Sequence, residues 1–325
     1  MACPVGRAFF RTSKWSEAST LPCQQKTVLV ASWPTTNACA FTTDRLRRSE
    51  GQTGGTYGSS EAVTGWQRSS VGRAQILAPL TERMLDLAGI GIGYRVLDVA
   101  AGTGEQTLAA ARRVGLTGAV LATDIAAPML EVAAEAAAQA GLRNVETRIM
   151  DARDLDLGSE SFDAAISRLA LMLLPDRARA MVGIHRALKA GKKFAALVLA
   201  TADECPYIAL PMGIAGRCGG NAQAPFGDPG MFALGDPAVL TAAYLEAGFR
   251  DVTVEAARVQ RRFPSFAAAM QNLRDVLPEI PQLLIHVTDA QRTAAWAEIE
   301  DVLRQFEGAD EFVVPFTYLI GVGTK

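Results

Sequence analysis

Short aliphatic runs alternate with Ala-rich amphipathic stretches through the middle of the chain. The first run is Val96, Leu97 and Val99, the pattern of a strand buried on both faces. Gly102 and Gly104 follow, and 106–114 is Ala-rich with no Gly or Pro, which predicts a helix. The alternation then repeats, with a strand over 119–123, a helix over 128–140 and strands over 145–150 and 162–167. Asp176 is placed to cap a helix whose apolar face is Ala180, Met181, Ile184 and Leu188, and 194–199 reads as a fifth strand. Upstream, Ile76, Leu77, Leu80, Met84, Leu85 and Leu87 have helical spacing, so 75–87 reads as one helix or as a separate helix from Thr81 after Pro79. Gly89, Gly91 and Gly93 end it.

From 201 to 235 the periodicity breaks. Pro206, Pro211, Pro225, Pro229 and seven glycines interrupt it, and the stretch reads as a long loop with a short helix over 206–215. A pocket-building insertion and a surface insertion are both open readings. Asp236 followed by Pro237 is a helix start, and the helix runs to Ala247 before Gly248. A sixth strand over 251–256, helices over 266–277 and 289–306 and a strand over 312–322 complete the chain.

Strand, glycine turn and helix in succession let a ligand approach the backbone and the free N–H groups at a helix start. Three acids, Asp98, Asp124 and Asp151, each stand at or near the end of one of the first three strands, the edge where open α/β sheets bind ligands. Asp124 lies about twenty residues after the glycines, a position suited to accepting hydrogen bonds from ribose hydroxyls.

The stretch 95–105, RVLDVAAGTGE, together with these acids resembles the class I S-adenosylmethionine-dependent methyltransferases. Ala100 stands where many members have another glycine. The stretch 186–192, RALKAGK, resembles the family's Leu-Lys-Pro-Gly-Gly turn before the fifth strand, with two substitutions. The resemblance implies a Rossmann-like α/β fold, a seven-stranded, mostly parallel sheet with helices on both faces and an antiparallel strand hairpin at the C-terminal end. It implies S-adenosyl-L-methionine as cofactor, with Asp124 on the ribose and Asp151 facing the adenine amino group. The expected cofactor-binding set is Asp98, Ala100, Gly102, Thr103, Gly104, Asp124, Ile125, Asp151, Ala152 and Ser167. The substrate implied is a small molecule. The first motif looks most like the ubiquinone and menaquinone C-methyltransferases, which makes a quinol or phenol-like metabolite one expectation. Their Arg-Asn pair after the fourth strand is replaced here by Leu171, Met172, Leu173 and Leu174.

Composition narrows the partners. Net charge is −2, with no global basic field to attract nucleic acid. Residues 1–48 carry seven Lys and Arg against two Asp and Glu, and the remainder 25 against 32. The aromatic loop of amino-directed DNA methyltransferases is absent after Ile166, where Ser167, Arg168, Leu169 and Ala170 stand. No apolar run reaches the ~18 residues of a membrane span. Five cysteines, Cys3, Cys23, Cys39, Cys205 and Cys218, form no Cys-x-x-Cys pair, and His185 and His286 are the only histidines, so no metal site is expected. An odd cysteine count fits a reducing compartment. Residues 1–60 lack periodicity and are basic and Ser/Thr-rich. They read as a disordered extension on a cytoplasmic protein, or as a transit peptide of an organellar one. The folded domain is expected over 61–325, with 201–235 as its pocket insertion, and Tyr57 or Trp66 as a cap or a packing anchor.

The sulfonium cofactor carries the difficult chemistry, so the protein needs chiefly to align a nucleophile with the methyl group and exclude water. His286, Tyr207 and His185 are candidate bases without a motif around them, and no catalytic residue is assigned. Ser167 and Arg168, at the end of the fourth strand, sit where the methyl group is expected to point; Arg168 is either a guide for an acidic substrate or a surface residue. Two other functions remain open. An NAD-dependent oxidoreductase also suits the glycine turn and Asp124, although 102–107 lacks the third small residue of that fingerprint. A non-catalytic S-adenosylmethionine-binding protein would carry the same motifs.

Overall fold

A computed structural model describes residues 64–65, 70–223 and 226–325. The readings placed on Tyr57, Trp66, Pro225, the first three cysteines and the 1–60 extension lie outside those residues. The predicted helix over 75–87 is longer and unbroken: α1 spans Ser70–Leu87 with Pro79 inside it. Pro79 is exposed, so water can satisfy the carbonyl that its missing N–H leaves without a partner. Leu77, Leu80, Met84 and Leu85 form the buried stripe of α1.

The α/β alternation follows as read. β1 (Arg95–Val99) leads to α2 (Glu105–Val114), then β2 (Ala119–Asp124), α3 (Ala127–Gln139) and β3 (Val145–Ile149). β4 (Phe162–Arg168), α4 (Arg177–Ala187) and β5 (Leu188–Leu199) complete the parallel part. Asp176 caps α4, its carboxylate accepting from the Arg179 amide at 3.0 Å. The aliphatic residues of β1, β4 and β5 are buried on both faces, each such side chain contributing ~1.5–3 kcal/mol.

The sheet order is β3-β2-β1-β4-β5-β7-β6. Neighbours from β3 to β5 are parallel, while β7 (Phe312–Thr324) runs antiparallel to β5 and to β6 (Arg250–Phe263). The chain builds outward from β1 through β2 to β3, then returns to place β4 on the other side of β1. The crevice at that reversal, past the C-terminal ends of β1 and β4, is the ligand edge of such a sheet. Helices α1, α2 and α3 pack successively on one another, and α4 packs on α6 (Pro237–Glu246).

Four segments differ from expectation. β5 begins at Leu188, six residues early, because the LKAGK turn lies inside it as a bulge: Phe162 pairs Leu188 and Ala164 pairs Lys193. In the irregular 201–235 segment the short helix expected over 206–215 is present as α5 and runs on to Cys218 (Pro206–Cys218), with Tyr207, Ile208 and Met212 in the core. β6 extends to Phe263, seven residues past its predicted end. Finally, β6 and β7 pair antiparallel but are no tight hairpin. Between them stand α7 (Phe266–Val276), α8 (Glu279–Leu283) and α9 (Asp289–Leu303), the last opened by a reciprocal Thr288–Gln291 capping box. Among the described residues no helix is long and apolar enough to cross a membrane.

Candidate active site

The turn after β1 is held from inside by Asp98. Its fully buried carboxylate accepts from Thr107 Oγ1 at 2.5 Å and from Gln106 Nε2 at 3.3 Å, and Gln106 also donates to the Ala101 carbonyl at 2.9 Å. These bonds fasten the first turn of α2 to the end of β1. Burial pushes the Asp98 carboxyl up to about 7, against the lowering effect of Thr107, Gln106 and the Arg168 charge.

Between them the backbone is left-handed at Ala100, Gly102 and Gly104, with φ of 55°, 56° and 81°. Ala100 therefore occupies a conformation that favours glycine, at a cost of ~1–2 kcal/mol for its Cβ. The two glycines are needed for different reasons. A Cβ on Gly102 would meet nothing within 4 Å, so that face of the turn is open to a ligand. A Cβ on Gly104 would stand 2.6 Å from the Ala133 Cβ. Gly104 thus lets α2 and α3 approach. Thr103, between them, is half-buried.

Asp124 ends β2 directly beside this turn. Its Oδ2 accepts from the Gly102 amide and its Oδ1 from the Ala126 amide, both at 2.9 Å. Burial raises its pKa, and the backbone amides of Ala126, Gly102 and Ile125 oppose the rise. Ile125 beside it is 53% exposed, and Ile149, its register neighbour on β3 across from Asp124, is 63% exposed. Two large apolar side chains thus flank the acid at the open edge.

Asp151 and Ala152 lie just beyond β3. The Asp151 carboxylate is gripped by Arg153, whose Nε and Nη2 donate at 3.0 and 2.7 Å, and that pair holds its pKa below the usual range. Ser167 is buried one residue past the Asp98–Ile166 rung, and its Oγ has no partner among the described residues. Arg168 is neither a free guide nor a surface residue. It is 7% exposed, with Nη2 on Glu105 Oε2 at 2.6 Å and Nη1 on Thr81 Oγ1 at 3.1 Å, tying β4 to α1 and α2.

Next to Arg168 the chain turns through Leu169, itself at φ 59°, and opens onto an apolar, partly open cavity. Leu169 and Met172 beyond β4, Ile76 of α1, Ile208 of α5, and Phe316 and Tyr318 of β7 are among its walls, and Met231 of the 201–235 segment also contributes. Among the described residues one charged side chain lines it, Arg261 on the extension of β6. Sequence reasoning missed Arg261, because the strand was read as ending at 256.

The candidate bases are elsewhere. Tyr207 is fully buried, donates to the Ala269 carbonyl at 2.5 Å, and has its phenol pKa pushed up by burial. His185 packs edge-on against Phe249 and feels the charge of Lys325, a residue bonded to the start of β5 at the opposite end of the sheet. His286 is exposed in the turn before α9. None of the three lines the cavity. Among the described residues no group of three or more His, Cys, Asp or Glu could hold a metal.

Residues 96–191 match the family described as "Methyltransferase domain". The chain is 33% identical over 121 residues to the aklanonic acid methyltransferase DauC of Streptomyces sp. (strain C5), covering 37% of this chain and 55% of that one. It is 37% identical over 102 residues to the nocamycin O-methyltransferase of Saccharothrix syringae, covering 31% and 36%. It is 36% identical over 108 residues to the ubiquinone/menaquinone biosynthesis C-methyltransferase UbiE of Hydrogenovibrio crunogenus, covering 33% and 42%. The chain thus spans about half, or less, of the curated relatives it matches. In fold it resembles the YcgJ protein from Bacillus subtilis, with a TM-score of 0.51 at 18% identity over 75% of this chain and 97% of that one. Over residues 96–191 the chain is thus similar to a methyltransferase domain, on a seven-stranded, mostly parallel sheet with the Rossmann-like fold of class I methyltransferases.

Proposed function

We propose that the protein transfers a methyl group from S-adenosylmethionine to an apolar small-molecule acceptor, with a phenol or quinol-like ring as the reacting part. The observation that carries this reading is the open glycine turn tied to Asp124, adjoining an apolar cavity across the end of β4. The residues present fit the cofactor: Gly102 leaves room, Ser167 Oγ is buried without a partner, and Ile125 and Ile149 offer exposed apolar surface at the same edge.

In this reading Asp98 and Ala100 shape the turn, and Gly102, Thr103 and Gly104 let the cofactor's amino-acid part approach the backbone. Asp124 keeps acceptor lone pairs for the ribose hydroxyls, Ile125 covers the adenine, and Asp151 and Ala152 meet its edge. Ser167 lies between the cofactor and the cavity. Bound there, S-adenosylmethionine supplies a methyl group activated for in-line displacement. The chain's own share is to desolvate and align the acceptor, which the apolar walls do. Tyr318, the phenol on the wall, keeps its proton because burial raises its pKa. No side-chain base is needed for an acceptor that ionises easily. The 201–235 segment acts as part of the acceptor pocket through Ile208 and Met231, within a domain that we extend over 61–325.

Incubation with methyl-labelled S-adenosylmethionine and a panel of apolar phenols and quinols is expected to yield labelled product. Absence of label from every phenol and quinol, in protein that binds the cofactor, would contradict this assignment of the acceptor.

A further inference from the structure

Arg261 is out of place by ordinary packing rules. It is 6% exposed, it lines an otherwise apolar cavity, and its Nε has no acceptor among the described residues. Its Nη2 reaches only Asn272 Oδ1, at 3.4 Å, a long and weak bond. No carboxylate pairs with it among the described residues. Asp275 of α7, also buried, accepts from Gln271 Nε2 at 3.2 Å and makes no salt bridge to Arg261.

A guanidinium taken out of water without a counter-ion costs several kcal/mol. The aromatic rings of Tyr207, Phe263 and Phe316, at 4.9, 5.6 and 5.2 Å, offset part of that and fix the group in place. They satisfy none of its N–H donors. A planar fork held rigid in an apolar chamber matches a carboxylate carried on an apolar body.

We infer that the cavity takes an apolar organic acid, its carboxylate held by Arg261 and its hydrocarbon or aromatic body against Leu169, Met172, Ile208 and Phe316. This deepens the methyl-transfer reading and rests on it for the role of the acid as acceptor. Arg261 is a binding and positioning residue. It anchors the carboxylate so that another part of the molecule faces the end of β4.

The test is calorimetric titration of the full chain, saturated with S-adenosylhomocysteine, by two matched pairs: 2-naphthoate against 2-naphthamide and decanoate against decanamide. At least one acid is expected to bind about tenfold or more tighter than its amide, the size of one charge-assisted contact. That preference should vanish in Arg261→Met, which keeps the apolar stem, and persist in weakened form in Arg261→Lys. Circular dichroism establishes that the variants fold; if Arg261→Met does not, the wild-type pairs and Arg261→Lys decide. Equal binding of acids and amides, no binding of any of the four, or a preference retained in Arg261→Met would overturn the inference. A titration with S-adenosylhomocysteine alone separates the two ideas. Acid preference without cofactor binding would leave the acid site standing and remove the methyl-transfer reading.

Discussion

Gly102 and Gly104 look alike in the sequence and differ in what surrounds them. Both have positive φ, yet a Cβ on Gly102 meets open space and one on Gly104 meets Ala133. Gly104→Ala is therefore expected to lose about 2–5 kcal/mol, from left-handed strain plus overpacking. Gly102→Ala should lose only ~1–2 kcal/mol of stability, from the strain alone, while weakening S-adenosylhomocysteine binding at least as much as Gly104→Ala does. Denaturant unfolding and calorimetry on the two variants check this. Equal destabilisation by both would show that the close approach of α2 and α3 is not what Gly104 serves. The acids were similarly only half legible. Position in a strand–turn–helix pattern singled out Asp98, Asp124 and Asp151. Nothing local showed that Asp98 would latch onto Gln106 and Thr107, that Arg153 would hold Asp151, or that Arg168 would be buried against Glu105.

At the scale of elements, Arg168 joins three of them, running from β4 to Thr81 on α1 and Glu105 at the start of α2. Replacing it with Met removes a mostly buried ion pair and is expected to cost about 3 kcal/mol. Hydrogen exchange should quicken in α1 and in the first turn of α2 before the rest of the sheet. Unchanged exchange in α1 would show that its apolar stripe alone docks it. β1 to β5 were readable because strands buried on both faces become continuous aliphatic runs. β6 was truncated at 256 for a physical reason. Its first half turns even-numbered residues inward, Val252 and Val254, and its second half odd-numbered ones, Ala257, Val259, Arg261 and Phe263. An alternation followed in one phase stops where the buried face changes. α8 is five residues long and centred on Pro281, too short for any periodicity to show.

For the whole molecule, the sheet order with its reversal between β1 and β4 places the glycine turn, Asp124 and the end of β4 along one edge. That arrangement followed from strand order and from the family resemblance together. The cavity did not, because its walls come from α1, the β4–α4 connection, α5, α7 and the β6–β7 extension, segments far apart in the chain. Such a site has no local pattern, and Arg261 lies beyond residue 256, where the sixth strand was read to end. We propose that the edge at Gly102 and Asp124 binds the adenosyl and amino-acid parts of the cofactor. The most direct test is calorimetric titration of S-adenosylhomocysteine into the wild type and Asp124→Ala, with NADH as the control. Micromolar binding to the wild type is expected, with at least about tenfold weaker binding to a folded Asp124→Ala, a loss of ~1.4 kcal/mol or more, and no NADH binding. NADH bound in place of S-adenosylhomocysteine, or unchanged affinity in Asp124→Ala, would contradict the proposal.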